Sequence, residues 1–248
     1  MNVRDVALSN EILRGVVGST SHGTAVEGQD DRDEMGVFIE PPQHVCGLAP
    51  VEHYVYRDQP EGVRSQPGDL DLVMYSLRKF CRLATQGNPS VILLLWLPGH
   101  VTHTPAGAGL IAMRDAFISR ESGRRFLGYL VEQKRRLKGE RARTVNRPEL
   151  VAKYGYDTKF AMHALRLGLE GIQLLTERRL TLPVAEPNLT TLRAVRTGQV
   201  DFAEALRLIE DAEARLSRLV EACSWEADAA AIDAFLVRAH MNHWQTAP

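Results

Sequence analysis

The segment Gly18-Ser19-Thr20-Ser21-His22-Gly23-Thr24 follows directly on the apolar run Ile12 to Val17. Asp31 and Asp33 come soon after, two residues apart, ahead of a second apolar run, Val37-Phe38-Ile39. Residues two apart in a strand point to the same side. Asp31 and Asp33 are therefore expected to present their oxygens together, as hard divalent cations such as Mg²⁺ require. A Gly-Ser turn offers backbone N–H groups and a hydroxyl to an anion beside such a metal. A phosphate cradle next to a carboxylate pair is the apparatus of metal-assisted phosphoryl or nucleotidyl transfer.

Two carboxylates hold a metal less well than three, so a third is expected from a neighbouring strand. Asp69 and Asp71, again two apart, are the candidates. Further along, Lys159, His163, Arg166 and Glu170 fall at i, i+4, i+7 and i+11, one narrow face of a helix. The rest of that helix is apolar (Phe160, Met162, Leu165, Leu167, Leu169, Ile172), which predicts burial. Two readings of the stripe stand. It clamps a triphosphate through Lys159 and Arg166, or it is a salt-bridged face with Glu170 as an internal partner. The dense basic run Lys134-Arg135-Arg136, Lys138, Arg141, Arg143 and Arg147 reads either as a guide for a nucleic-acid backbone or as a solvated helix end; it carries no interleaved aromatics for base stacking.

Gly18-Ser19, an eleven-residue spacer and Asp31-x-Asp33 resemble the signature of the DNA-polymerase-β nucleotidyltransferase superfamily. More narrowly, Gly18-Ser19-x-x-x-Gly23 with Asp31-x-Asp33-x-x-Gly36 resembles the nucleotidyltransferases named for their association with RNA ligases. Two further segments carry the narrow resemblance: Asp71 to Phe80 running to Gly87-Asn88-Pro89, and Tyr154-Gly155-Tyr156-Asp157-Thr158-Lys159 with His163 and Arg166. The resemblance selects Asp71 as the third acid, with Asp69 as the fallback. It implies that Asp31, Asp33 and Asp71 hold Mg²⁺ or Mn²⁺ and that Gly18, Ser19, Lys159, His163 and Arg166 hold the nucleotide. The implied activity moves a nucleoside monophosphate from an NTP, ATP by default, to an acceptor hydroxyl and releases pyrophosphate. RNA is the first-choice acceptor, in repair or modification. A protein acceptor and a catalytically quiet nucleotide- or RNA-binding module are the alternatives. His22 reads as a phosphate contact or as a residue that fills the turn.

These residues need a scaffold. Ile12 to Val17, Glu34 to Ile39, Glu52 to Tyr56 and Asp69 to Tyr75 are predicted strands, and Arg57 to Gly68 is a predicted loop. Ser76 to Thr85 is a predicted helix with Ser76 as its N-cap. Beyond Pro98 the periodicity turns helical, over Ala108 to Ile118, Gly123 to Lys138, Asp157 to Glu177, a face from Phe202 to Cys223, and Ala227 to Trp244. The expected fold is α+β: a small mixed β-sheet nucleotidyltransferase core, residues 1–100, followed by an all-helical half, residues 101–248, that completes the nucleotide site. The 248 residues hold ample material for a core, and a formal net charge of −1 neither demands nor excludes a nucleic-acid partner. Cys46, Cys81 and Cys223 form no zinc or disulfide pattern. With no signal-peptide layout at the N-terminus and no membrane-length apolar run, a cytoplasmic protein without a membrane partner is expected.

Overall fold

The structure, a computed structural model, describes residues 2–26, 32–60, 63, 66, 68–140 and 147–246. In chain order the elements begin α1 (Val3–Ser9), β1 (Glu11–Val16), α2 (Gly18–His22), β2 (Arg32–Phe38), α3 (Pro42–Val45), β3 (His53–Arg57) and β4 (Leu70–Ser76). There follow α4 (Leu77–Thr85), α5 (Pro89–Ile92), β5 (Thr102–His103), α6 (Pro105–Ala112), α7 (Arg120–Leu137) and α8 (Pro148–Tyr154). The last four are α9 (Thr158–Glu177), α10 (Asn188–Arg196), α11 (Phe202–Ala222) and α12 (Ala229–Thr246). No helix among the described residues is long and apolar enough to cross a membrane.

The chain divides into two compact units. One comprises Met1–Thr85, Ser90–Phe117 and Ala227–Pro248; the other comprises Gln86–Pro89 and Ile118–Glu226. This differs from the expected division at residue 100, for two reasons. β5 and α6, both beyond residue 100, belong to the sheet unit, β5 paired with β1 and α6 packed on β1. The last helix, α12, returns to that unit and is fastened there: Trp244 Nε1 donates to the Glu40 carbonyl (2.8 Å), and His240 Nε2 lies 3.1 Å from the Glu40 carboxylate.

The first unit is built on a mixed sheet of order β3-β4-β2-β1-β5. β2 and β4 run parallel and the other pairs are antiparallel. Strand alternation gives the sheet two different faces. Phe38, Leu72 and Met74 on one face form a core with Val6 and Ala7 of α1 and with Val51. The other face is buried where Leu13, Met35 and Val37 lie, and opens toward the start of β2 and β4. β5 is only two residues long, too short to be read from periodicity. The helix expected over Ala108 to Ile118 is α6, which ends at Ala112, followed by a 3₁₀ turn over Arg114–Phe117.

The second unit packs α7 and α11 against α9. Thirteen residues of the twenty in α9 are buried, as its apolar circumference requires. Asp157 caps its N-terminus, accepting from the Lys159 and Phe160 N–H groups at 3.0 and 3.1 Å. Close approach depends on two glycines. A Cβ on Gly168 would meet Ala212 Cβ and Leu130 Cδ1 at 2.8 Å, and one on Gly171 would meet Leu216 Cδ2 at 2.8 Å.

Candidate active site

Strand register brings the acids together. In the parallel β2–β4 pair, Asp33 stands directly beside Asp71, and in the antiparallel β3–β4 pair Asp71 stands beside Arg57. Partners in a ladder share a face, so Asp33, Asp71 and Arg57 form one row on the open face of the sheet. Like charges set side by side repel each other, and a nearby cation offsets that cost. The Arg57 Nε lies 3.8 Å from Asp71 Oδ1.

The glycine turn is set against the first of these acids. Val17 donates its N–H to the Asp33 carbonyl (2.9 Å), and Gly18 follows with φ +69°. A Cβ on Gly18 would lie 2.1 Å from Asp33 Oδ2. Only glycine provides both the left-handed backbone and the space. Gly18 is the first residue of α2 and Ser19 the second, and the helix end is closed by the N–H of Thr24 donating to the Ser19 carbonyl (3.0 Å). His22 is 3 % exposed and sits inside the turn. Gly18, Ser19, Asp33 and Asp71 are thus gathered in one unit, while Asp31 lies outside the described residues.

Asp69 has a different job. Its Oδ2 accepts from the Gln66 N–H (2.6 Å) and from the Gln59 side chain, and its carbonyl accepts from the Arg32 N–H (2.8 Å). It fastens the loop that leads into β4, where Asp71 belongs to the ladder proper. Among the described residues no three His, Cys, Asp or Glu side chains gather as a metal cluster, a set from which Asp31 is missing.

Lys159, His163 and Arg166 lie in the second unit and are half-buried along one line of α9. The expected stripe therefore exists. Arg166 Nη1 donates to Glu170 Oε2 at 2.7 Å, with the two side chains only 11 % and 5 % exposed. The internal salt bridge is present on this face. The basic run of α7 is tied up in a similar way: Lys134 bonds Glu213, Lys138 lies 3.4 Å from Glu210, and Arg136 lies 3.3 Å from Glu132. Arg147 pairs with Asp157 at 3.1 Å, and Arg141 and Arg143 lie outside the described residues.

Three features escape a reading of the sequence. Arg57, expected in a loop, is the last residue of β3; only cross-strand register reveals its place beside Asp71. Glu34, 4 % exposed on the face opposite Asp33, binds Arg32 (2.8 Å) and lies 3.4 Å from Arg14; alternation from Asp33 would have found it. Glu40 is the third. Burial alone would raise its carboxyl, but hydrogen bonds from His240 and Ser76 outweigh that and hold it below the ordinary value. Burial opposes the charge on His240 too, yet its bonds to Glu40 and to the Leu236 carbonyl carry its pKa above the ordinary one.

Against known proteins, the model of the RNA repair pathway DNA polymerase beta family matches residues 6–238. No curated protein matches the chain. Among solved structures, the nucleotidyltransferase-like protein from Exiguobacterium sibiricum 255-15 is similar at 14 % identity and a TM-score of 0.32. That likeness covers 88 % of this chain and 71 % of that one, and is too low to carry an argument.

Proposed function

The chain belongs to the RNA repair pathway DNA polymerase beta family, and from that premise we propose that it transfers a nucleoside monophosphate from an NTP, ATP by default, to a hydroxyl of an RNA acceptor, releasing pyrophosphate. The observation that carries this reading is the side-by-side placement of Asp33 and Asp71 on an open sheet face with Gly18 pressed against Asp33.

Gly18 and Ser19 hold the phosphates by close backbone approach and the serine hydroxyl. Asp71, on the strand farther from the glycine turn, takes the proton from the acceptor hydroxyl. The acceptor oxygen bonds to the α-phosphorus as the bond to the β-phosphate oxygen breaks, and pyrophosphate leaves. Asp31, Asp33 and Asp71 would hold a divalent cation, Mg²⁺ or Mn²⁺, which when bound would neutralise charge on the phosphates and lower the pKa of the attacking hydroxyl. On α9, Arg166 is held in place by Glu170. Three free cysteines suit a cytoplasmic setting, and burial pushes the Cys81 thiol up to about 12, which keeps it inert.

The test is incubation with α-³²P-labelled NTPs, Mg²⁺ or Mn²⁺, and separate pools of RNA and of protein. Label on RNA that disappears with Asp33→Ala supports the proposal. Label on protein instead would change the acceptor, and label retained by the variant would remove the acids from the mechanism.

A further inference from the structure

The sheet gives the acid row a direction. The glycine turn leaves β1 beside Asp33, Asp71 lies one strand farther on, and Arg57 one farther still. β3 is the edge of the sheet. Neighbouring strands are about 4.8 Å apart, so the row crosses roughly 10 Å from Asp33 to Arg57. With the donor phosphates at the glycine end and the acceptor hydroxyl at Asp71, the acceptor approaches over β4 and β3. It meets Arg57 on the way.

Arg57 is equipped for that meeting. At 3.8 Å its Nε is near enough to Asp71 for attraction but beyond hydrogen-bond reach, and 59 % of the side chain is exposed. A guanidinium carries five N–H donors in a fork that fits the oxygens of a phosphate. The same face continues through Val55, 48 % exposed, to the half-buried ring of Tyr75, which has the Lys79 ammonium 5.8 Å from its centre. An exposed valine, an aromatic ring and the Arg57 guanidinium suit a chain of nucleotides, whose bases stack and whose backbone is anionic, while the Lys79 ammonium is paired with Glu52 at 3.6 Å.

We infer that Arg57 binds the phosphodiester one ribose away from the acceptor's attacking hydroxyl, so that the site selects the end of a polynucleotide. The inference rests on the transferase reading only through the role given to Asp71. It makes Arg57 a specificity residue: the phosphate it holds sets which hydroxyl reaches Asp71.

Binding tests it without turnover. A fluorescent single-stranded oligoribonucleotide with a free terminal hydroxyl is titrated in Mg²⁺, without NTP, against the same oligomer carrying a neutral methylphosphonate at its last linkage. The native protein is expected to prefer the charged oligomer by about tenfold, the scale of one charge-assisted hydrogen bond. Arg57→Gln is expected to bind both oligomers alike, at the weaker affinity, and Arg57→Lys to keep part of the preference. Equal binding of both oligomers by the native protein, an unchanged preference in Arg57→Gln, or no oligomer binding at all would overturn the inference. The labelling assay reports separately on the transferase reading. A preference that depends on Arg57 in a protein that transfers no label would sink that reading and leave the binding site standing; transfer to RNA without the preference would do the reverse.

Discussion

Two clusters of charge, one on the sheet and one on α9, are built from similar residues and end in opposite states. On the sheet, Asp33 and Asp71 are forced side by side by the parallel ladder, with Arg57 at the end of the row on an exposed edge strand. On α9, Arg166 and Glu170 are one turn apart, both mostly buried, and bonded to each other at 2.7 Å. Opposite charges at i and i+4 on a helix satisfy each other within the element. Like charges in register across two strands repel each other instead. The first arrangement is the candidate ligand site, whereas the second is an internal salt bridge on the face that carries the half-buried Lys159 and His163.

The sharpest way to break this contrast is to neutralise one acid of the row. Asp33→Asn is expected to lower transfer by about 10³-fold or more, on the scale of losing a main electrostatic contributor to catalysis. The same change removes a like-charge neighbour, so the metal-free protein should melt no lower than the native one. A large drop in melting temperature would mean that Asp33 is structural. The opposite pattern is expected on α9. Arg166→Ala strands Glu170 and should cost about 3 kcal/mol of stability in denaturant melts. Replacing both residues by leucine should recover most of that loss, since an apolar pair of similar size is tolerated there. A nucleotide affinity that falls tenfold or more in the well-folded double variant would make Arg166 a ligand in its own right.

The register of the site is tested more gently by Gly18→Ala. Its φ of +69° and the 2.1 Å approach to Asp33 Oδ2 both resist a Cβ. The variant is expected to lose about 1–2 kcal/mol of stability, and to lose transfer along with Mn²⁺ affinity as the carboxylate is pushed aside. Unchanged Mn²⁺ affinity would separate the turn from the metal.

The smallest effect concerns the fastening of α12. His240 has a raised pKa, so its contribution to stability is complete below the ordinary imidazole value and fades as pH climbs through the raised one. Glu40 has a lowered pKa, so its contribution is complete above the ordinary carboxylate value and fades on acidification through the lowered one. The pair should therefore stabilise the unit fully between about pH 4.3 and 6.5. His243, whose pKa is lowered by burial and by the charge on His240, should titrate below its ordinary value. His240→Gln should lower the melting temperature by about 2–4 °C at pH 6 and flatten the alkaline side of the profile. A native profile that rises from pH 6 to 8 would contradict this sign.

The sequence carries the chemistry of this protein in different depths. The strand places of Asp33 and Asp71 are legible because Asp33 leads into an apolar run, Asp71 lies in an alternating strand, and Gly18-Ser19 precedes both. The Arg166–Glu170 bond is legible as an i, i+4 pair. Arg57 is hidden, because its place depends on which residue of β4 it faces, and register between strands is a long-range property. The return of α12 is hidden for the same reason: Glu40 and His240 are 200 residues apart in the chain and meet only in the folded unit. Asp69 and Asp71 look equivalent by alternation. What separates them is that Asp69 is engaged by Gln66 and Gln59 at the mouth of the loop.

On the proposed function, the Asp33–Asp71 row binds a divalent cation. The most direct measurement is a Mn²⁺ titration followed by electron paramagnetic resonance, on the native protein and on Asp33→Asn and Asp71→Asn. Saturable binding by the native protein that weakens tenfold or more in each variant, with the fold intact, is expected. Mn²⁺ binding that is the same in all three proteins would contradict it.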